Sequence, residues 1–106
     1  MEQNKALRLL GLAARAGKIA FGTDSVIETI QNRKAKIVLV AEDASDRTKR
    51  NIERISEENH VNMRIYGTIE TLSKWIGKEN KAVICVKDIN FANEILKIID
   101  GGEIIG

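Results

Sequence analysis

Apolar residues recur along the chain with two different periods, and the switches between them outline the fold. From residue 4 to 16, Leu7, Leu10 and Ala14 make one stripe at helical spacing, with Leu9, Leu12, Ala13 and Ala16 beside it. Gly17 stands where such a helix would stop. Ile19-Ala20-Phe21 is a short extended segment, and residues 24–32 return to helical spacing with Val26, Ile27 and Ile30 inward. Ile37-Val38-Leu39-Val40-Ala41 is an unbroken, largely β-branched run, the pattern of a strand buried on both faces.

The second half repeats the alternation. Ser45 to about Asn59 is polar, with Ile52 and Ile55 as apolar anchors, and predicts an exposed helix started by Ser45 or Asp46. Met63-Arg64-Ile65-Tyr66 predicts a strand. Thr68 predicts the cap of a short helix carrying Ile69, Leu72 and Ile76, which Gly77 ends. Ala82-Val83-Ile84-Cys85-Val86 is a second fully apolar strand, and a last helix is expected from about Asn90 to Asp100. The order α-β-α-β-α-β-α-β-α implies an α/β class: a three-layer α/β/α sandwich, with a mixed sheet of about four strands and helices on both faces. No proline, linker or repeat divides the 106 residues, so one domain over 1–106 is expected. Ligands of open α/β sheets sit beyond one end of the strands. The loops after Phe21, Val40 and Val86 are expected to converge at such an end.

Composition narrows the function. Hydrophobic residues make up 43% and charged residues 30%, as in globular proteins, whereas only 4% is aromatic, which disfavours a surface of several stacking rings. No apolar run approaches the roughly 20 residues that span a bilayer, and the first residues lack the pattern of a secretory signal. A cytoplasmic protein with no membrane partner is expected. One cysteine excludes an internal disulfide, and one His with one Cys cannot make a Cys/His zinc site. Net charge is +2, but the excess is N-terminal. Residues 1–36 hold seven Lys/Arg against three acids, and the remaining seventy hold ten against twelve. That suits a polyanionic partner, and equally a solvated surface.

Candidate chemistry concentrates near residues 15–25. Arg15-Ala16-Gly17-Lys18 ends one helix, and Gly22-Thr23-Asp24-Ser25 begins another. Glycine permits close backbone approach, and a helix start offers unpaired N–H groups to an anion. Thr23, Asp24 and Ser25 are also good N-caps, and Ser25 with Glu28 makes a candidate capping box. The segment lacks the second glycine and the Lys-Ser/Thr of a phosphate-binding P-loop. Glu42-Asp43 follows a strand without a third ligand nearby, and leads into the next helix. Asp88 or Asn90 is the expected cap of the last helix, leaving Lys87 and Ile89 to touch a partner. Cys85 is expected in the core, His60 at a helix end, and Trp75 as a half-exposed packing residue. Arg47, Lys49, Arg50 and Arg54 interleave with Glu53, Glu57 and Glu58 at helical spacing, the pattern of a salt-bridged solvated face.

Three stretches together resemble a known family. Leu12-Ala13-Ala14-Arg15-Ala16-Gly17-Lys18, then Gly22-Thr23-Asp24-Ser25-Val26, then Lys34-Ala35-Lys36-Ile37-Val38-Leu39-Val40-Ala41-Glu42-Asp43-Ala44-Ser45 are similar to the L7Ae/L30e type of ribosomal protein. More narrowly, they resemble its small bacterial YlxQ-type members. The resemblance covers nearly the whole chain. It implies the α/β/α fold and binding to the kink-turn, a sharply bent RNA duplex with a three-nucleotide bulge beside sheared G·A pairs. It implies that the start of the second helix enters the RNA groove at Gly22, Thr23, Asp24 and Ser25. The loop before the last helix, Val86 to Asn90 with Lys87, Asp88 and Ile89, would pack on a splayed nucleotide. Arg15, Lys18 and Lys36 would contact phosphates, and Glu28 and Glu42 fall within the same set. Three positions depart from the pattern. Asp24 stands where strong kink-turn binders carry Asn or Lys, Ser25 where they carry Glu or Gln, and Glu28 where a Lys is usual.

The expectation is a non-catalytic RNA-binding protein without metal or cofactor. Its implied partners are structured RNA, with ribosomal RNA as a candidate, and ribosome-associated proteins, and it is expected to act as a monomer. The alternative is a protein-interaction module on the same fold, with RNA recognition reduced or lost. A small-molecule enzyme ranks below both, because no acid–base pair, nucleophile or metal set is apparent.

Overall fold

The computed structural model of the chain describes residues 5–102. Its elements run α1 (Lys5–Arg15), β1 (Ile19–Phe21), α2 (Thr23–Gln31), β2 (Ile37–Val40), α3 (Asp46–Glu58), β3 (Asn62–Ile65), α4 (Ile69–Trp75), β4 (Val83–Val86) and α5 (Ile89–Lys97). A π-type turn, Ile98–Gly102, closes the described chain. The expected start of the first helix at Asn4 lies outside the described residues.

The four strands form one mixed sheet in the order β1-β4-β2-β3. β2 and β3 are parallel, joined over α3 as a βαβ crossover requires. β4 lies between β1 and β2 and runs antiparallel to both. Every residue of β2 and β4 is buried. In a strand, successive side chains point to opposite faces, so unbroken burial means that both faces are covered. α1 packs with α4 and α5, and α2 packs with α3, giving the two helical layers of an α/β/α sandwich. Leu10, Val26, Ile30, Ile84 and Ile95 are fully excluded from solvent and join one core cluster. Each such side chain contributes about 1.5–3 kcal/mol by leaving water.

The starts of α3, α4 and α5 follow the capping residues, and that of α2 does not. Ser45 Oγ accepts from Thr48 N–H at 3.1 Å. Thr68 and Thr71 make a reciprocal capping box at 3.1 and 2.9 Å. Asp88 Oδ1 accepts from Asn90 and Phe91 N–H at 2.8 and 3.0 Å. The expected Ser25–Glu28 box does not form, because the N-cap of α2 is Gly22, three residues before Ser25, without a side-chain cap.

Four helix ends share one device. Lys18 and Gly17 N–H donate to Ala13 and Ala14 carbonyls, and the same crossed pair recurs at Arg33-Lys34, His60-Val61 and Gly77-Lys78. The motif needs a left-handed residue, and these are Gly17 (φ 75), Arg33 (φ 62), His60 (φ 58) and Gly77 (φ 74). His60 thus ends α3 as its position predicts. On the exposed face of α3, Arg54 pairs with Glu58 at 3.4 Å and donates to Asn51 at 2.8 Å. Arg47, Lys49 and Arg50 have no carboxylate within ion-pair distance among the described residues.

Near the C-terminal turn, Arg64 of edge strand β3 grips Asp100 with two bonds of 2.8 and 2.9 Å. The hydrogen bond from Arg64 is the main cause that holds the Asp100 carboxyl below its usual range. The clamp is therefore complete above the ordinary carboxylate range and is lost as pH falls through the lowered value. Both side chains are more than a third exposed, so it adds well under about 1 kcal/mol.

Two measurements check this picture. His60→Gly relieves left-handed strain of about 1–2 kcal/mol and loses about 0.4–1 kcal/mol to unfolded-chain freedom, so urea unfolding should show a small net gain. Gly17→Ala, whose new methyl meets nothing within 4 Å, should cost about 1 kcal/mol through φ alone. Burial also pushes the Cys85 thiol up to about 11, by desolvation above all. A thiol reagent at neutral pH should leave the native protein unlabelled and label one site once urea unfolds it.

Candidate functional site

The direction of β4 decides which loops meet. Its register sets Phe21 beside Ile84 and Val40 beside Val83, whereas Val86 lies beside Ile19 and Ile37. The loops after Phe21 and Val40 therefore share one end of the sheet, and the loop after Val86 leaves from the other. The expected convergence of all three fails because the central strand is reversed relative to its neighbours.

At the first end, Gly22 N–H donates to the Val83 carbonyl at 2.9 Å, and its φ of 90° turns the chain directly into α2. A side chain at that φ would be strained, so glycine is required for this docking. The first bond of α2 runs from Val26 to Gly22. The N–H groups of Thr23, Asp24 and Ser25 consequently have no acceptor within the helix and no capping side chain. They carry the positive pole of a nine-residue helix. Asp24 and Ser25 are exposed and Thr23 is half-buried. Glu28 lies exposed one turn further along.

Across β4, Ala41 N–H donates to Ala82, and Glu42 N–H to Gly67 at 2.7 Å, which puts the exposed Glu42 at this same end. Its neighbour Asp43 is occupied in the fold: Oδ1 accepts from Ile69 N–H at 2.8 Å, at the start of α4. The loop between α4 and β4 supplies residues that sequence reasoning missed. Lys78 and Lys81 place their ammonium groups 5.0 and 5.4 Å from the centre of the Phe21 ring, a cation–π arrangement one residue before Gly22. Their signal in the sequence was a pair of lysines between a helix-ending Gly77 and a buried strand. Only the β1–β4 register puts them over Phe21.

At the second end, Lys87 N–H donates to the Lys18 carbonyl and Lys36 N–H to the Val86 carbonyl, both at 2.7 Å. The three lysines are exposed and close a separate basic edge. Asp88, half-buried, spends one carboxylate oxygen on capping α5, and Ile89 is 52% exposed beside it. The two ends lie about 10 Å apart along the strands. Arg15, exposed at the end of α1, lines a surface groove together with Lys78.

Among the described residues, no three His, Cys, Asp or Glu side chains gather where they could hold a metal. No helix there is long and apolar enough to cross a membrane.

Known proteins share this architecture and much of this sequence. A protein of unknown function from Bacillus halodurans superposes with a TM-score of 0.89 at 33% identity, covering 92% of this chain and 98% of its own. The Giardia lamblia 15.5kD RNA binding protein shares the fold at a TM-score of 0.78 and 19% identity, over 100% of this chain and 92% of that one. The RNA-binding protein YlxQ of Bacillus subtilis (strain 168) is 39% identical over 87% of this chain and 92% of its own length. YlxQ of Enterococcus faecium is 38% identical over 93% of this chain and 95% of its own. The family model described as ribosomal protein L7Ae/L30e/S12e/Gadd45 matches residues 4–97. With residues 4–97 matched and such relatives along nearly its whole length, the chain belongs to the ribosomal protein L7Ae/L30e/S12e/Gadd45 family.

Proposed function

We propose that this chain is a non-catalytic RNA-binding protein that holds structured RNA, ribosomal RNA being the first class to test, through the N-terminus of α2 and the loops beside it. One observation carries the proposal. The open N–H groups of Thr23, Asp24 and Ser25 begin two residues after Phe21, whose ring carries Lys78 and Lys81, in a chain 39% identical to a protein named for RNA binding.

The roles divide by chemistry. Backbone N–H groups and the two lysines bind phosphate, and Gly22 lets the backbone approach. Asp24 accepts from a guanine edge, Ser25 makes a shorter contact, and Glu42 faces the RNA across β4. Glu28 repels phosphate further along α2. Arg15 extends the basic border, and Lys18, Lys36 and Lys87 attract the RNA backbone at the other end of the sheet. Ile89 is the apolar contact there, with Asp88 fixing the turn. Asp24, Ser25 and Glu28 leave shape and phosphate contacts dominant over kink-turn selectivity. The carboxylates of Asp24 and Glu28 favour the second reading, a protein-interaction module with RNA recognition reduced or lost.

Mobility-shift titrations of a kink-turn hairpin and a straight duplex of equal length test the proposal. Affinity for both should fall steeply with salt, with a log–log slope near −0.9 per phosphate neutralised. Lys18→Glu should weaken both RNAs alike and reduce that slope by about one. Lys81→Glu should act the same way and more strongly on the bent RNA. Asp24→Asn combined with Ser25→Glu should raise the preference for the kink-turn. Absence of any salt-sensitive shift with either RNA would sink the proposal and leave the protein-interaction module.

A further inference from the structure

α1 and α4 meet unusually closely at Gly11. A Cβ there would lie 3.1 Å from the Trp75 carbonyl oxygen and 3.4 Å from indole Cε3. The missing side chain lets the C-terminal end of α4 rest on α1 and leaves an open groove of about 740 Å³ beside the contact. Its floor is apolar: Leu12 is 48% exposed, Trp75 is 37% exposed, and buried Ile76 lies between the helices. Leu12 and Trp75 are two of only four large exposed hydrophobic side chains among the described residues. Two such residues sharing one groove with a polar border mark an interaction surface.

The border is cationic on both sides. Arg8 and Arg15 flank Leu12 on one face of α1, and Lys74 and Lys78 face them from the end of α4 and its following turn. Among the described residues, no Asp or Glu lines the groove and no ion pair involves these four cations. Lys74 and Lys78 also border a neighbouring recess with Asp43, Glu70 and Glu79, without forming an ion pair there. Like charges confronting each other across an apolar floor are relieved by an occupant that brings carboxylates at its edges and apolar side chains at its centre.

We propose that the α1/α4 groove docks an acidic, amphipathic segment of a protein partner. Large apolar side chains of the segment rest on Leu12 and Trp75, and its Asp or Glu residues pair with Arg8, Arg15, Lys74 and Lys78. The floor argues against single-stranded RNA as occupant: it offers one aromatic ring flanked by aliphatic Leu12 and Ile76, where base stacking uses successive rings. The proposal does not rest on RNA binding at α2, although Lys78 borders both surfaces.

Trp75 is the only tryptophan of the chain, so its fluorescence reports on the groove directly. The probe is a synthetic peptide with Leu at helical i, i+3, i+4 and i+7 spacing and Glu on both flanks. Controls are a scrambled peptide of the same composition, a Lys-for-Glu version, and a single-stranded oligouridylate. The Glu peptide should give a saturable, salt-weakened blue shift that the scrambled and Lys peptides do not. Arg8→Glu with Lys74→Glu should weaken it by about tenfold, and Leu12→Ser should weaken it without changing the salt dependence. These three side chains are exposed, and an unchanged Tm verifies the fold of each variant. An unshifted Trp75 would overturn the proposal, as would equal binding of the scrambled peptide. An oligouridylate response that Arg8→Glu with Lys74→Glu removes, with none to the peptide, would assign the groove to RNA instead.

Discussion

The antiparallel placement of β4 between β1 and β2 is the constraint on which the rest of the molecule depends. Val83, Ile84, Cys85 and Val86 are fully buried, and a strand with no exposed residue needs a hydrogen-bonded neighbour on each side and a helical layer on each face. The backbone groups at its ends are used as well. The Val83 carbonyl receives Gly22, the Val86 carbonyl receives Lys36, and Lys87 N–H reaches Lys18. β4 therefore positions both candidate edges through main-chain bonds, with the Asp43 and Asp88 side chains fixing the helix starts beside them. The N–H groups at the start of α2 take no part in this framework.

This separation explains which features were legible in the sequence. Burial on both faces gives β2 and β4 their unbroken apolar runs, and periodicity gives the helices, so element types and order could be read locally. Ser45, Thr68 and Asp88 were legible as caps because each bonds an N–H within three residues. Strand direction was not legible, since an apolar strand reads the same both ways. The error about converging loops follows from that symmetry, and so does the omission of Lys78 and Lys81. Their proximity to Phe21 exists only through a strand pairing that spans some sixty residues of sequence.

The helix ends separate residue preference from tertiary demand. Gly17 and Gly77 announce left-handed turns by composition, whereas Arg33 and His60 adopt the same backbone against their own preference. Each ends a helix whose chain must reverse into an adjoining strand, β2 after Arg33 and β3 after His60. The packing of two buried layers supplies the energy that holds these unfavourable angles. At Gly22 the demand differs: the chain passes from a bond with β4 straight into a helix through a φ of 90°, which strains any side chain although the space around it is open.

Charge is distributed according to the same division. The carboxylates with structural duties are Asp43, Asp88 and Asp100, which serve a helix start, a cap and an edge-strand clamp. The cations at the α2 end and along the α1/α4 groove have no carboxylate partner among the described residues, so removing them costs little in folding and much in attraction for an anionic ligand. Lys78 belongs to both surfaces, lining the groove and standing over Phe21. An anion bound at either place consumes part of the field that draws an anion to the other. Two anionic partners, one at each of these neighbouring places, would thereby be coupled unfavourably through one side chain, without any change in the fold.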